Sequence, residues 1–436
     1  MIKILVIGSG AREHAIIKSL YKSSKKKTIY CLGTNSNPGI ADLCSELLVK
    51  NINDPEIVKS YAKEKKINFA IIGPENPLAN GIVDALLDIG IHSIGPKKEL
   101  AQIETSKSFT RNLLTTYKIP GTPKFKVFNT MNGVDDFLSV LGENYVIKYD
   151  GLAGGKGVKV AGDHLKSHKE AKQYCQELID KGGSFVIEKK LIGEEFSLMS
   201  FCDGNSLTHM PAVQDHKRAF EDDTGPNTGG MGTYSDSDHS LPFLDDNHIK
   251  AAKNINERTA KALKEKFGEG YKGVLYGGFI ATIDGVYLIE YNARFGDPEA
   301  MNVLSILETD FIDICQSIIE ESLHQIKINF SNQATVCKYA VPEGYPDNPV
   351  KNKQLDISKV KNKDNLYYAS VELKNNTLFG LGSRSVAIIG TGDAIWEAEE
   401  IAESEISKVK GPVFHRKDIG TTKLLQKKIN NMASLK

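Results

Sequence analysis

The sequence predicts a multidomain protein of α/β and α+β class: a parallel-sheet domain, two further lobes, and a carboxyl-terminal α+β domain. Strand and helix patterns alternate over the first hundred residues, and the pattern turns strand-rich and mixed after Pro120-Gly121. The chain is also 436 residues long, enough for about three compact units at typical domain sizes.

Residues 2–7 form a short apolar run of Ile, Leu and Val, the signature of a strand buried on both faces. A glycine turn leads into helical spacing over 11–22, then a strand at 28–32, a helix at 54–65 and a strand at 69–72. A helix at 78–89 and a strand at 91–94 complete a doubly wound parallel sheet. One helix is expected over 105–119. Beyond it come strands near 124–128, 145–148, 157–160 and 184–188, with helices at 133–141 and 167–181. Strands at 195–202, 274–283 and 286–292 and helices near 247–267 and 297–323 follow. The last hundred residues show strands at 334–341 and 385–389, a helix at 393–409, and Lys-Asn-Lys stretches at 351–365 that read as a solvated loop.

Lys+Arg and Asp+Glu both total 55, so the formal charge is zero. A nucleic-acid partner is therefore not expected, since polyanion binders carry a basic excess. The six cysteines are dispersed without a C-x-x-C pair, which leaves zinc and redox motifs unsupported and favours reduced thiols. The amino-terminal apolar run is too short for a signal segment, and no run has the length of a membrane span. A cytoplasmic protein with no membrane partner is the expectation.

Several motifs carry chemistry. Gly8-Ser9-Gly10-Ala11-Arg12-Glu13 is a strand-to-helix turn able to aim backbone N–H groups at an anion. It lacks the third glycine and the acid of a dinucleotide fingerprint, so a single phosphate suits it better than NAD. Two more loops, Asn35 to Gly39 and Gly73 to Leu78, leave the same sheet edge, where ligands of open parallel sheets sit. Each alone is ordinary turn chemistry; three together point to a site.

Lys148 ends a strand and Lys156 lies in the glycine loop that follows. Cations on both sides of such a loop suit a nucleoside triphosphate, although no helix follows as in a P-loop. Glu188 to Glu195 follow a strand end and could offer backbone groups to adenine and a carboxylate to ribose, a weak signal by itself. Glu290 and Asn292, two apart on a strand, share a face and suit Mg²⁺ bridged to phosphate. Arg294 follows on the expected same face, where it could neutralise a carboxylate or acyl phosphate. A polar edge strand is the bland alternative, and it would leave three costly polar groups without a purpose. The loop 214–232 carries Asp215, His216 and Lys217 among glycines. There His216 is expected to orient substrate rather than act as a base.

GSGAREHA at 8–15, IGPENPL at 72–78, KYDGLAGGKGV at 148–158, QDHKR at 214–218, DTGPNTGGMG at 223–232, EYNARFGDPE at 290–299 and RKDIG at 416–420 stand in this order. Taken together they resemble the ATP-grasp ligases, and within them the glycinamide ribonucleotide synthetase family, nearly end to end. QDHKR paired with DTGPNTGGMG is the most specific part. The resemblance implies a preATP-grasp parallel sheet over 1–104, a linker helix and mobile ATP-grasp lobe over 105–192, a core lobe over 193–328 and a C-terminal domain over 329–436. It implies ATP-dependent joining of glycine to 5-phosphoribosylamine through glycyl phosphate, with ATP and Mg²⁺ (or Mn²⁺) bound. A monomer working on small molecules is the default.

By position, Lys107, Lys148 and Lys156 resemble the family's nucleotide-contacting lysines. Glu188, Lys190 and Leu191 resemble its adenine hinge, Glu195 its ribose acid, and Glu290 and Asn292 its metal ligands. Asp215 and Arg294 are expected to handle glycine, and Lys156 to act in catalysis with them. Gly10, Arg12, Glu13, Asn37, Gly39 and Glu75 are expected around the phosphoribosyl group. The chain departs from the family at Ser36-Asn37-Pro38-Gly39, where Gly-Asn-Ala-Gly is usual, and at Lys189-Lys190 in the hinge. It also departs at 274–282, which lacks an acid. A related carboxylase or formate-using transferase would share the lysines and Glu-x-Asn but not the paired loop motif. A non-catalytic nucleotide-binding regulator would leave Glu290, Asn292 and Arg294 unexplained.

Overall fold

The computed structural model describes residues 1–154 and 157–435. The first strands are short apolar runs buried from both sides, with Ile4, Leu5, Val6 and Ile7 fully buried, and they assemble into a parallel sheet. Its order is Glu46–Val49, Lys27–Gly33, Ile2–Ile7, Phe69–Ile72 and His92–Ile94. The edge strand Glu46–Val49 is not anticipated from the sequence. It has four residues, none of them buried, so it lacks the buried run that marks its neighbours.

Helix Ala11–Lys22 forms as expected. The single helix expected over 78–89 is instead two, Glu75–Ala79 and Ile82–Leu87. They are divided at Gly81, whose φ of +77° is in the left-handed region that ends helices. The expected helix over 105–119 is shorter, Lys107–Thr116, because the Ser106 side chain accepts from the Phe109 N–H and caps it. A separate turn, Gln102–Thr105, precedes it.

The next region is a four-stranded antiparallel sheet in the order Phe125–Phe128, Phe185–Lys189, Tyr145–Tyr149, Val158–Val160. With helices Val134–Leu141 and His168–Asp180 it forms its own core around Phe128, Leu138, Tyr145, Ile147, Phe185 and Ile187. That cluster is separate from the large one shared by the rest of the chain. A lobe with a private core can tilt as a unit without opening the main core.

The central sheet runs Leu207–His209, Glu194–Asp203, Lys272–Thr282, Gly285–Asn292, and helix Asp246–Phe267 packs on its last two strands. A further sheet joins distant parts of the chain. Gln214–Asp215 pairs with Gly232–Ser235 at the other end of the glycine-rich loop, Gly232–Ser235 pairs onto Ala334–Pro342, and that strand pairs in turn with Val386–Gly392. The loop 214–232 is thereby closed on itself at its base and joined through its second end to the carboxyl-terminal region. The segment 351–365, expected as a solvated loop, contains the strand Lys353–Leu355 in a small three-stranded sheet. Helix Thr422–Ser434 closes the described chain.

The amino- and carboxyl-terminal regions meet at His14. Its ring packs on Tyr367 and Tyr368, and its Nδ1 accepts the Tyr368 N–H at 3.0 Å. Burial holds its pKa well below the ordinary value, so the ring is neutral and can accept. Asn37, fully buried, donates to the Ser9 and Tyr368 carbonyls at 2.9 and 2.7 Å. Its side-chain oxygen also caps the Pro38–Ala41 turn. A Cβ at Gly39 would stand 2.3 Å from His14 Cε1 and 2.5 Å from Tyr368 Cδ2. Gly39→Ala should therefore lower the urea midpoint, with overpacking costing about 1–3 kcal/mol. An unchanged midpoint would mean that the two regions are not packed this tightly.

Candidate functional site

The site grows from an irregularity in strand Gly285–Asn292. Gly278 pairs with Glu290 and Phe279 with Leu288, so Ile289 is an extra residue, a β-bulge. Strict alternation would put Leu288 and Glu290 on one face. With the bulge, Leu288 stays fully buried while Glu290 and Asn292 are only partly buried. The bulge also takes the Ile289 carbonyl out of the ladder, and two cations use it. Lys148 Nζ donates to it at 2.9 Å and Arg111 Nη2 at 2.9 Å.

These cations also meet Glu188. Arg111 forks onto its carboxylate at 2.8 and 2.9 Å, and Lys148 stands 3.0 Å away. Arg111 further donates to the Leu288 carbonyl at 3.0 Å. All three side chains are buried. Burial pushes the Glu188 carboxyl up, but Arg111 and Lys148 outweigh it and hold the group at about 2. One carboxylate thus ties the lobe to the linker helix and to the bulge.

Glu290 faces Lys217, whose Nζ lies 3.7 Å from Glu290 Oε1 and 4.0 Å from Glu195 Oε2. Burial raises the Glu290 carboxyl, and the nearby Lys217, Lys148, Lys107 and Arg294 more than reverse it, so Glu290 is ionised. Asp215, two residues before Lys217, has an Oδ1 with no hydrogen-bond partner. Burial and then the Glu299 carboxylate push its pKa well up, against Lys217 and Arg384. Lys107 Nζ donates to the Gly151 carbonyl at 2.8 Å, at the root of the glycine loop. Asp150 bonds the Ser106 hydroxyl at 3.0 Å and the Ser108 N–H at 3.1 Å, fixing that root to the linker helix. Lys156 lies outside the described residues.

The hinge after Glu188 is braced. The Lys190 N–H donates to the Asn144 carbonyl and its Nζ to the Ala161 carbonyl at 3.1 Å, with Leu191 partly exposed beside it. The Glu188 side chain is held inside the ion cluster rather than turned out of it.

Arg294 departs from expectation. The strand ends at Asn292, and Arg294 turns toward two acids from other regions, Glu104 at 3.1 Å and Glu75 at 3.3 Å. It therefore links the cleft to the amino-terminal loops rather than continuing the Glu290–Asn292 face. Within those loops Glu13 is locked: its carboxylate accepts the Gly10 N–H at 2.6 Å and Arg12 Nε at 2.7 Å. A Cβ at Gly73 would come 2.1 Å from Glu13 Oε1, so glycine there admits the carboxylate between the strand ends. Arg12 also donates to the Phe295 carbonyl at 3.1 Å. Asn37 and Gly39, expected to touch substrate, have their hydrogen bonds and space taken up by the interface with Tyr368. His216 is buried against Tyr234, away from the cleft, and burial lowers it to about 3; it cannot serve as a base from there.

Sequence reasoning missed Lys217, Arg111 and Glu104. Lys217 was readable, since it shares extended-chain alternation with Asp215. Arg111 was readable too, one turn beyond Lys107 on the same helix face. Nothing local marks Glu104, because its partner comes from 190 residues away in the sequence. Among the described residues no group of three or more His, Cys, Asp or Glu side chains is arranged to hold a metal. No helix among them is long and apolar enough to cross a membrane. The ionised, partly exposed Glu290 and the Asn292 amide do form a hard-oxygen pair that fits Mg²⁺ or Mn²⁺ if phosphate completes the shell.

Three family models match the chain: the phosphoribosylglycinamide synthetase N domain over 2–104, its ATP-grasp (A) domain over 105–300 and its C domain over 335–422. Phosphoribosylamine–glycine ligases from Methanosarcina barkeri and Methanocaldococcus jannaschii are each 48% identical, with 100% of both chains covered. The crystal structure of the Thermotoga maritima phosphoribosylamine–glycine ligase superposes with a TM-score of 0.80 at 27% identity, covering 96% of this chain and 100% of that one. The biotin carboxylase domain of Hydrogenobacter thermophilus 2-oxoglutarate carboxylase, solved with MgADP, reaches 0.72 at 14% identity over 99% of this chain and 93% of that one. That likeness is one of fold.

Glu188→Gln leaves Arg111 and Lys148 buried without a counter-charge, which should cost about 3 kcal/mol at neutral pH. Because the folded carboxyl is depressed to about 2 from 4.5, its stabilisation is present above the unfolded value and fades as pH falls through the folded one. Urea titrations should show the gap between wild type and variant narrowing from pH 4.5 toward 2; a gap independent of pH would contradict the ion cluster.

Proposed function

The chain belongs to the phosphoribosylglycinamide synthetase family, and from that premise we infer that it joins glycine to 5-phosphoribosylamine using ATP, giving glycinamide ribonucleotide, ADP and phosphate. The observation that carries this reading is the cleft around Glu290. There an ionised carboxylate, an amide and several lysines converge beside Asp215, whose buried Oδ1 has no hydrogen-bond partner.

Phosphoryl transfer needs positioning and neutralisation of charge more than covalent help. Lys107, Lys148 and Lys156 neutralise the phosphates, the backbone at Lys190 and Leu191 meets the adenine edge, and Glu195 reaches the ribose. Glu188 serves indirectly, by holding Lys148 in place. Glu290 and Asn292 would hold Mg²⁺ or Mn²⁺, which there withdraws charge from phosphate oxygens. Asp215 accepts the glycine ammonium, whose charge offsets the burial that raises its pKa. A glycine carboxylate oxygen attacks the γ-phosphorus and ADP leaves, giving glycyl phosphate. Lys217 faces the charge of that acyl phosphate, and Arg294, held by Glu75 and Glu104, adds its positive field from the amino-terminal side. The sugar amine then attacks the acyl carbon, the C–O bond to phosphate breaks, and the amine loses its proton.

The phosphoribosyl group lies at the amino-terminal sheet edge. Gly10, Arg12, Glu13 and Glu75 border it, while Asn37 and Gly39 act by shaping the loop. Arg294 joins the two half-sites. We divide the chain at 104/105, 192/193 and 328/329, with the paired strands 232–235 and 334–342 bridging the last boundary. A cytoplasmic monomer acting on small molecules, without nucleic acid or membrane partners, is the working form.

Purified protein should release ADP only when glycine and 5-phosphoribosylamine are both present; release with bicarbonate or formate in place of glycine would favour a related carboxylase or transferase. Lys156→Ala, Glu290→Gln and Lys217→Met should each lower kcat at least about a hundred-fold while melting like the wild type. Retained turnover would remove that residue from the machinery.

A further inference from the structure

The RKDIG segment, 416–420, takes no part in the chemistry above, yet Arg416 is among the most deeply buried charged side chains, 1% exposed. It forks onto Asp418 at 2.9 and 2.6 Å, a self-pairing that fixes the guanidinium plane. Its remaining nitrogen, Nη1, then reaches out of the segment to the Arg218 carbonyl at 3.1 Å and Asp223 Oδ1 at 2.9 Å. Asp418 also accepts the Asp222 N–H at 3.0 Å. Three points of the 218–223 arm are thus gripped by one turn of the carboxyl-terminal region.

That turn is itself held. Lys338, fully buried, donates to the Lys417 carbonyl at 2.8 Å and to Glu399 and Glu403 at 2.6 and 2.7 Å. From helix Thr422–Ser434, Lys428 bridges Asp223 at 2.8 Å and Glu194 at 3.2 Å. Asn431 donates to Glu194 at 2.8 Å. Glu194 is the residue before Glu195, and the Gln214 amide donates to the Glu195 carbonyl at 3.0 Å. The network therefore flanks Asp215 and Lys217 on both sides, through Gln214 before them and Arg218 after them, without touching the cleft.

Buried charges fully paired across two regions give a single geometry, because any slip leaves one of them unpaired in a poorly solvating place. Outside this network the loop is held at its strand ends and by Arg384 on the Gly229 and Gly230 carbonyls, which leaves the 218–223 arm to the carboxyl-terminal contacts and to one exposed pairing of Arg218 with Asp163. We propose that Arg416 and Lys428 are positioning residues, forming a carboxyl-terminal clamp that holds the 214–223 arm so that Asp215 and Lys217 face glycine and its acyl phosphate. The clamp rests on the glycine-ligase reading of that cleft. It acts on glycine more than on ATP, since Lys107, Lys148 and the hinge belong to the lobe and its linker, and of the ATP contacts only Glu195, beside Glu194, adjoins the network.

The test uses the full chain with Lys428→Met, whose change is confined to one helix face, and with Arg416→Lys, which keeps the charge and loses the fork. The expected result is a glycine KM raised about ten-fold or more, with the ATP dissociation constant measured by calorimetry without glycine staying within about two-fold. Hydrogen exchange at the Asp222 amide should also quicken. An unchanged glycine KM in folded Lys428→Met overturns the clamp, and so does an equal loss of ATP affinity, which would mark a general structural role. Should Arg416→Lys fail to fold, Lys428→Met decides alone. Failure of the wild-type chain to use glycine is a different result, and it strikes the proposed function itself.

Discussion

The cleft depends on the Glu188 carboxylate, held between Arg111 and Lys148 over the bulged carbonyl of Ile289. The three side chains come from three places: the last strand of the small lobe, the linker helix and the lobe's inner strand. Two of them also bond to the central sheet. Ions buried this way contribute little net stability over a well-packed apolar core, but they tolerate few arrangements. Their value here is geometric. They fix where a lobe with its own hydrophobic core meets the rest of the molecule, and so where Lys148 stands relative to Glu290.

The same device recurs at the other junctions. Arg294 lies between Glu75 and Glu104, joining the central sheet to the amino-terminal domain. Arg416 and Lys428 pair with Asp223, joining the glycine-rich loop to the carboxyl-terminal region. Each junction brings one wall of the cleft into register through a charge from another part of the chain.

Much of the fold was legible because strands buried on both faces must be apolar runs, and residues 2–7 and 69–72 are. Helix Ala11–Lys22 was legible from its spacing. Glu46–Val49 was not, since an edge strand needs no buried face, and neither was the division of 78–89, which one left-handed glycine decides. In the site, Glu290 and Asn292 were found from period-two spacing, yet the reason they face the cleft is a bulge at Ile289, and no local signal marks a bulge there. Asn37 and Gly39 were read as substrate contacts because loops at a sheet edge usually are. They are instead packed under Tyr368, from a region more than three hundred residues away.

By itself the sequence determined the class of each region, the family and the residues able to carry phosphate, carboxylate and amine chemistry, because side-chain type and short-range periodicity are local properties. Which of those residues meet was decided only by the tertiary structure. The partners of Arg294, Glu188 and Asp223 arrive from distant segments, and a buried charge is stable only where its counter-charge arrives. Pairing across the chain, which no window of sequence contains, turned a set of capable residues into one cleft.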